Sequence, residues 1–187
     1  DALAAAGLAE TVSYGFTAPA RIAALRFSSG HPATRPVVIK NPIREEQSVM
    51  RTSLMPNLLA ALAHNLAHGT GTVRLFEVGH VFLPSGQVLP DEPRFVAGVL
   101  AGERAGWLKP GGPVDFFDVR GVVEALFARL RVEVDYTPAR QEDGFLHPGV
   151  AAAVVGKGEG GEEVHLGVLG EVHPETRERF GVDRRCF

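Results

Sequence analysis

Leucines recur at every fourth position through Leu54, Leu58, Leu62 and Leu66, with Leu59 beside them, and this apolar stripe predicts an amphipathic helix. Ser53 is a fitting N-cap, Pro56 is tolerated in a first turn, and Gly69 ends the helix. Val119, Val122, Val123, Leu126, Phe127 and Leu130 follow helical spacing without a miss and predict a second helix over 118–130. Shorter helices are expected over 1–7, closed by Gly7, near Ala20–Leu25, and from Pro174 to Gly181. Between them, alternating or continuous apolar runs predict strands at 11–16, 36–39, 73–82, 94–100, 132–136, 151–155 and 164–169. The run at 73–82 is apolar on both faces, so both faces are expected to be covered. It should pair antiparallel with 94–100. Strands adjacent in the chain with few helical crossovers imply an α+β fold, mainly an antiparallel sheet flanked by helices.

The 187 residues suit one domain, here 1–187, with a core of useful size. The chain opens on Asp1 and a run of alanines that reads as the middle of a helix, so a piece of a longer protein is expected. Lys and Arg number 19 against 22 Asp and Glu, for a net charge of −3, which disfavours a nucleic-acid arm. One cysteine, Cys186, rules out an internal disulfide and a cysteine-rich metal site. No apolar run is long enough to cross a bilayer and no signal peptide is seen, so a cytoplasmic location without membrane contact is expected.

Several motifs invite chemical readings that their context rejects. Gly156 to Gly161 fits G-x-G-x-x-G, but Glu162-Glu163 and a strand follow it instead of a helix N-terminus, so a hairpin turn is expected. The same run fails as a P-loop, because Gly158 stands where Ser or Thr should hold magnesium. His64 and His68 are one helical turn apart, but Asn65 replaces the glutamate of H-E-x-x-H and no third ligand is evident. There is no G-x-S-x-G elbow. Asp115 and Asp118 fit a helix start, where their charge complements the dipole.

Five segments carry a resemblance. They are NPIREEQSVMRTSLMPNLL at 41–59, LFEVGHVF at 75–82, FFDVRG at 116–121 followed by VEAL at 123–126, LHPG at 146–149, and GVLGEVHP at 167–174. In order and spacing they resemble the beta subunit of bacterial-type phenylalanyl-tRNA synthetase. The resemblance implies a fold similar to the catalytic core of class II aminoacyl-tRNA synthetases. It implies that the family's tRNA-binding-like, editing and anticodon-binding modules lie outside this chain. Class II enzymes place an ATP-clamping arginine just after the strand matching 74–82, and here the position is Leu83. Their final arginine is also missing, since Gly170 to Pro174 puts Glu, His and Pro there and Arg177 and Arg179 come later. The resemblance thus implies a pseudo-catalytic module with no catalytic, cofactor or metal residues. ATP and magnesium would belong to the whole enzyme.

It further implies the alpha subunit as partner, in an alpha2-beta2 enzyme, with tRNA met only through that enzyme. Residues 1–16 look like a truncated motif 1, the helix–strand unit of class II dimerisation. That makes Leu3, Leu8, Val12 and Tyr14 interface candidates, exposed in the isolated chain and prone to self-association; simple core packing is the alternative. Glu77, mid-strand between Phe76 and Val78, needs a cationic or multi-donor partner if buried. The resemblance brings Arg51 near it, so a buried ion pair is expected, against a solvated groove or backbone amides near Gly79. Two other functions stay open: an independent class II ligase-like enzyme binding ATP and an amino acid, and a tRNA-binding module.

Overall fold

The computed structural model describes residues 2–87, 89–104, 106, 111–139, 144–158 and 160–187. Asp1 of the expected first helix and Glu159 of the glycine-rich run lie outside the described residues. The order of elements is α1 (Ala2–Ala5), β1 (Ala9–Glu10), β2 (Phe16–Thr17), α2 (Pro19–Ala23), β3 (Val49–Met50), α3 (Met55–Ala67), β4 (Val73–His80), β5 (Arg94–Ala101), α4 (Phe116–Leu130), β6 (Val134–Pro138), β7 (Leu146–Lys157), β8 (Glu163–Val172) and α5 (Pro174–Arg179). The fold is α+β, with helices against mixed and antiparallel sheets.

β4 pairs antiparallel with β5 in the register Val73↔Ala101, and β1 joins the far edge of β4 in parallel. β6, β7 and β8 form a second antiparallel sheet, and β2 with β3 a small ribbon. The chain's last two residues join the two larger sheets at one end. The Leu100 and Phe187 amides each donate to the other's carbonyl, at 2.8 and 2.9 Å. On the other side the Val172 amide donates to the Cys186 carbonyl at 2.8 Å.

Alternation along β4 and β5 divides the core into two layers. Val73, Val99 and Ala101 face α3, whose Leu58, Leu59 and Leu62 are fully buried there with Leu54 at its N-cap, Phe145 and Cys186. Phe76 and Leu100 face the opposite layer, with Leu3, Leu8, Val119 and Phe187. Burial pushes the Cys186 thiol up to about 12, so it sits in the core as a small neutral hydrophobe.

The boundaries of α4 follow from its cap. Asp115 accepts the Phe117 amide at 2.8 Å and Asp118 accepts the Asp115 amide at 2.7 Å, a capping box that starts the helix two residues before the expected 118. The Arg104 guanidinium beside it holds the Asp115 carboxyl below the usual carboxylate range. The glycine-rich run is the β7–β8 turn: the Gly158 amide donates to the Glu162 carbonyl at 2.9 Å, and Gly161 takes a positive φ of 82° that a side chain would strain.

Three expectations change. Residues 11–16 form no continuous strand, because Ser13 turns towards Glu77 instead of extending the ladder. Around 36–39 only Val38 bridges to Val49; Pro36 and Pro42 flank the segment, and proline cannot donate to a ladder. β4 is not covered on both faces, since Val78 and His80 are exposed and the α1/α4 layer covers that face only around Phe76.

Arg185 ties the final segment to β8. It grips Glu171 with two hydrogen bonds, of 3.0 and 2.6 Å, and this pairing holds the Glu171 carboxyl below its ordinary value. A carboxylate with a depressed folded pKa contributes stability present above its unfolded pKa, lost as pH falls through the folded value. Glu171→Gln is therefore expected to flatten the loss of thermal stability below about pH 4.5, leaving a smaller difference between Tm at pH 3 and pH 6. An unchanged acid limb in a Tm-versus-pH series would show that Arg185, whose side chain is 61% exposed, contributes little.

Candidate functional site

Arg51 directly follows β3, and its backbone already bridges two segments. Its amide donates to the Gly15 carbonyl at 3.0 Å, and its carbonyl accepts from the Phe82 amide at 2.9 Å. This anchoring sends the side chain inward across β4. Arg51 is 5% exposed and Glu77, in the middle of β4, is 2% exposed. Nη1 of Arg51 lies 2.6 Å from Oε1 of Glu77.

The pair is embedded in further bonds. Nε of Arg51 donates to the His80 carbonyl at 2.8 Å, and Nη1 also donates to Oγ of Ser13 at 2.9 Å. The Ser13 hydroxyl donates to Oε2 of Glu77 at 2.7 Å, and its amide donates to Oε1 at 3.3 Å. Asn57, in the first turn of α3, donates through Nδ2 to Oγ of Ser13 at 3.0 Å and to the Tyr14 carbonyl at 3.1 Å. Two residues along the strand from Glu77 stands Gly79, where a Cβ would overlap the Arg51 guanidinium. Only glycine leaves room for the arginine at that point. The network joins β4, α3, the segment after β3 and the segment between β1 and β2.

Such a cluster can do little chemistry on a ligand. Both carboxylate oxygens of Glu77 are engaged inside the protein, as are Nε and Nη1 of Arg51, one nitrogen from each of the two pairs, Nε with Nη2 and Nη1 with Nη2, that could fork a phosphate or carboxylate. Its energetic character is that of a buried pair, where each desolvated charge relies on the other.

Leu83 lies just past β4. Its amide donates to the Asp91 carbonyl and its carbonyl accepts the Asp91 amide, both at 2.9 Å, while its half-buried side chain packs on the α3 core. In the segment matched to the final arginine, Glu171 is held by Arg185, and Nδ1 of His173 accepts the Glu175 amide at the start of α5. Arg179 donates to the Ala23 carbonyl at 3.4 Å. His64 and His68 lie side by side on the exposed face of α3, ring centroids 4.1 Å apart and ring planes tilted by 38°.

The interface candidates separate into two pairs. Leu3 and Leu8 are 7% and 5% exposed and belong to the core layer against Phe76 and Val119, which corrects the expectation that they would be exposed. The reason is α4: its apolar face, not a partner, covers α1. Val12 and Tyr14 are 90% and 70% exposed, with Tyr14 stacked on Phe16 at 5.1 Å. Sequence reasoning missed Ser13 and Asn57. Ser13 is a polar break in an apolar run and Asn57 sits in a leucine-rich helix, but neither signal names a partner 44 residues away.

The comparisons with known proteins agree in direction. All of residues 1–187 matches the family described as the phenylalanyl tRNA synthetase beta chain CLM domain. The chain is 43% identical over 177 residues to the phenylalanine--tRNA ligase beta subunit of Moorella thermoacetica, covering 94% of this chain and 21% of that protein. It is 40% identical to that of Syntrophotalea carbinolica, covering 100% of this chain and 23% of the relative, and 37% identical to that of Geobacter metallireducens, covering 97% and 22%. The chain thus spans roughly a fifth of the length of these relatives. On the match over its full length, the chain belongs to the phenylalanyl-tRNA synthetase beta chain CLM domain family.

Proposed function

We propose that the chain is a non-catalytic, class II synthetase-like module of a phenylalanine–tRNA ligase beta subunit, serving assembly with the alpha subunit. The observation that carries this reading is the state of the cation positions. Adenylate formation needs positive charge aimed at a triphosphate in a preorganised site. Leu83, matched to the ATP-clamping arginine, offers no donor from its side chain and packs on the core. Arg51, the buried cation beside the same strand, is committed to Glu77, Ser13 and the His80 carbonyl. On this reading the Arg51–Glu77 cluster is structural, holding the 41–59 segment to the sheet where substrate contacts would otherwise lie.

Assembly is supported by the exposed Val12 and Tyr14 beside β1, an apolar pair on the unit matched to motif 1. The test is gel filtration of the full-length beta subunit with the alpha subunit. Val12→Asp combined with Tyr14→Asp is expected to shift the complex towards free subunits by at least about tenfold in Kd, about 1.4 kcal/mol. Circular dichroism of the variant guards against misfolding. A variant that folds and assembles like the parent would remove Val12 and Tyr14 from the interface.

A further inference from the structure

The leucine stripe of α3 leaves two histidines outside. Leu58 and Leu62 are fully buried, whereas His64 and His68, one helical turn apart, are exposed on the side of the helix away from them. Their ring centroids stand 4.1 Å apart. No group of three or more His, Cys, Asp or Glu able to hold a metal occurs among the described residues, so a third protein ligand is not at hand. Two imidazoles one turn apart are still enough for a chelate.

The proton on each ring decides which histidines can hold a cation, because a ligating nitrogen must offer a lone pair. Nδ1 of His68 lies 2.7 Å from the His64 carbonyl. A carbonyl only accepts, so this Nδ1 carries the proton and Nε2 keeps its lone pair. A ring N–H given to a backbone carbonyl is also what orients ligating histidines in metal sites. The His64 side chain makes no hydrogen bond among the described residues, so its ring is free to turn and to take either tautomer. The other close pair, His147 and His173, has the opposite arrangement. Nδ1 of His147 accepts the Gly149 amide and Nδ1 of His173 accepts the Glu175 amide, so both Nε2 atoms carry protons. The helix adds a field of the right sign. His68 is the C-cap of 13-residue α3, whose carbonyl end favours a cation. No Lys or Arg stands within α3 to oppose one.

We propose that His64 and His68 form a surface chelate for a late first-row transition cation, through Nε2 of His68 and one ring nitrogen of His64. Imidazole suits zinc, nickel and copper, and of these copper(II) binds a given nitrogen site most tightly. Water fills the remaining positions, so the cation exchanges readily and tethers the last turn of α3. The site is not a catalytic centre, which would take three protein ligands. It lies on the outer face of α3, apart from Leu83 and the Arg51–Glu77 cluster, and does not depend on the function proposed above.

The test is calorimetric titration of the full-length beta subunit with nickel, zinc or copper(II). The heat that belongs to the site is the part lost in the double variant His64→Ala, His68→Ala. Each single variant is expected to lose at least about tenfold in affinity, the scale for removing even an outer partner of a metal site. A control combining His64→Ala with Ala67→His keeps two histidines at adjacent positions, which do not share a helix face. It is expected to bind as weakly as His64→Ala alone. Magnesium, which takes oxygen ligands, is expected to give the same heat with parent and variants. Both histidines are exposed, and circular dichroism checks that the variants fold. Identical nickel and zinc titrations for the parent and the double variant would overturn the proposal. So would parental affinity in His68→Ala or in the Ala67→His control.

Discussion

Arg51→Ala is expected to destabilise the protein by about 3–5 kcal/mol, the scale for removing one partner of a buried ion pair. Glu77, 2% exposed in the middle of β4, would be left with only Ser13 to answer its charge. Replacement by glutamine at Glu77 keeps shape and should cost less, about 1–3 kcal/mol, because the lost charge leaves the guanidinium poorly matched. Gly79→Ala probes the same cluster sterically. Its new Cβ would meet a guanidinium pinned by bonds to Glu77, Ser13 and the His80 carbonyl, so a cost of about 1–3 kcal/mol is expected. In an Arg51→Ala background the obstacle is gone and the Gly79→Ala penalty should shrink, a coupling measurable by a double-mutant cycle in urea. A cost below about 1 kcal/mol for Arg51→Ala, the range of exposed pairs, would mean that water reaches the cluster.

Leu8→Ala carries the second large effect, about 2–5 kcal/mol, the usual range for truncating a buried leucine. Leu8 is 5% exposed among Leu3, Phe76 and Leu100, and its terminal carbon lies close to Gly98 of β5. The loss should appear in unfolding of the beta polypeptide alone, with no partner present. Were Leu8 an interface residue, truncation would instead leave that unfolding unchanged and weaken only subunit association. The two outcomes separate core from interface.

The difference between those readings marks where sequence legibility stops. The periodic helices α3 and α4, the β4–β5 antiparallel pair and the glycine-rich hairpin are visible because local spacing determines them. That Glu77 needs a buried partner is also legible, because desolvating a lone carboxylate is costly wherever it happens. Identifying Ser13 and Asn57 as further members is not, since the contacts depend on how the segment after β1 crosses β4. The burial of Leu3 and Leu8 is hidden for a related reason. A short alanine-rich helix with two leucines looks the same whether α4 or another subunit covers it. The closing of the sheet by Cys186 and Phe187 is a tertiary event with no local signature.

Calorimetric titration of the protein with ATP and magnesium addresses the central claim most directly. With Leu83 packed on the core and Arg51 committed to Glu77, no saturable heat is expected up to millimolar nucleotide. A Kd below about 100 µM, roughly 5.5 kcal/mol of binding, would contradict the non-catalytic reading.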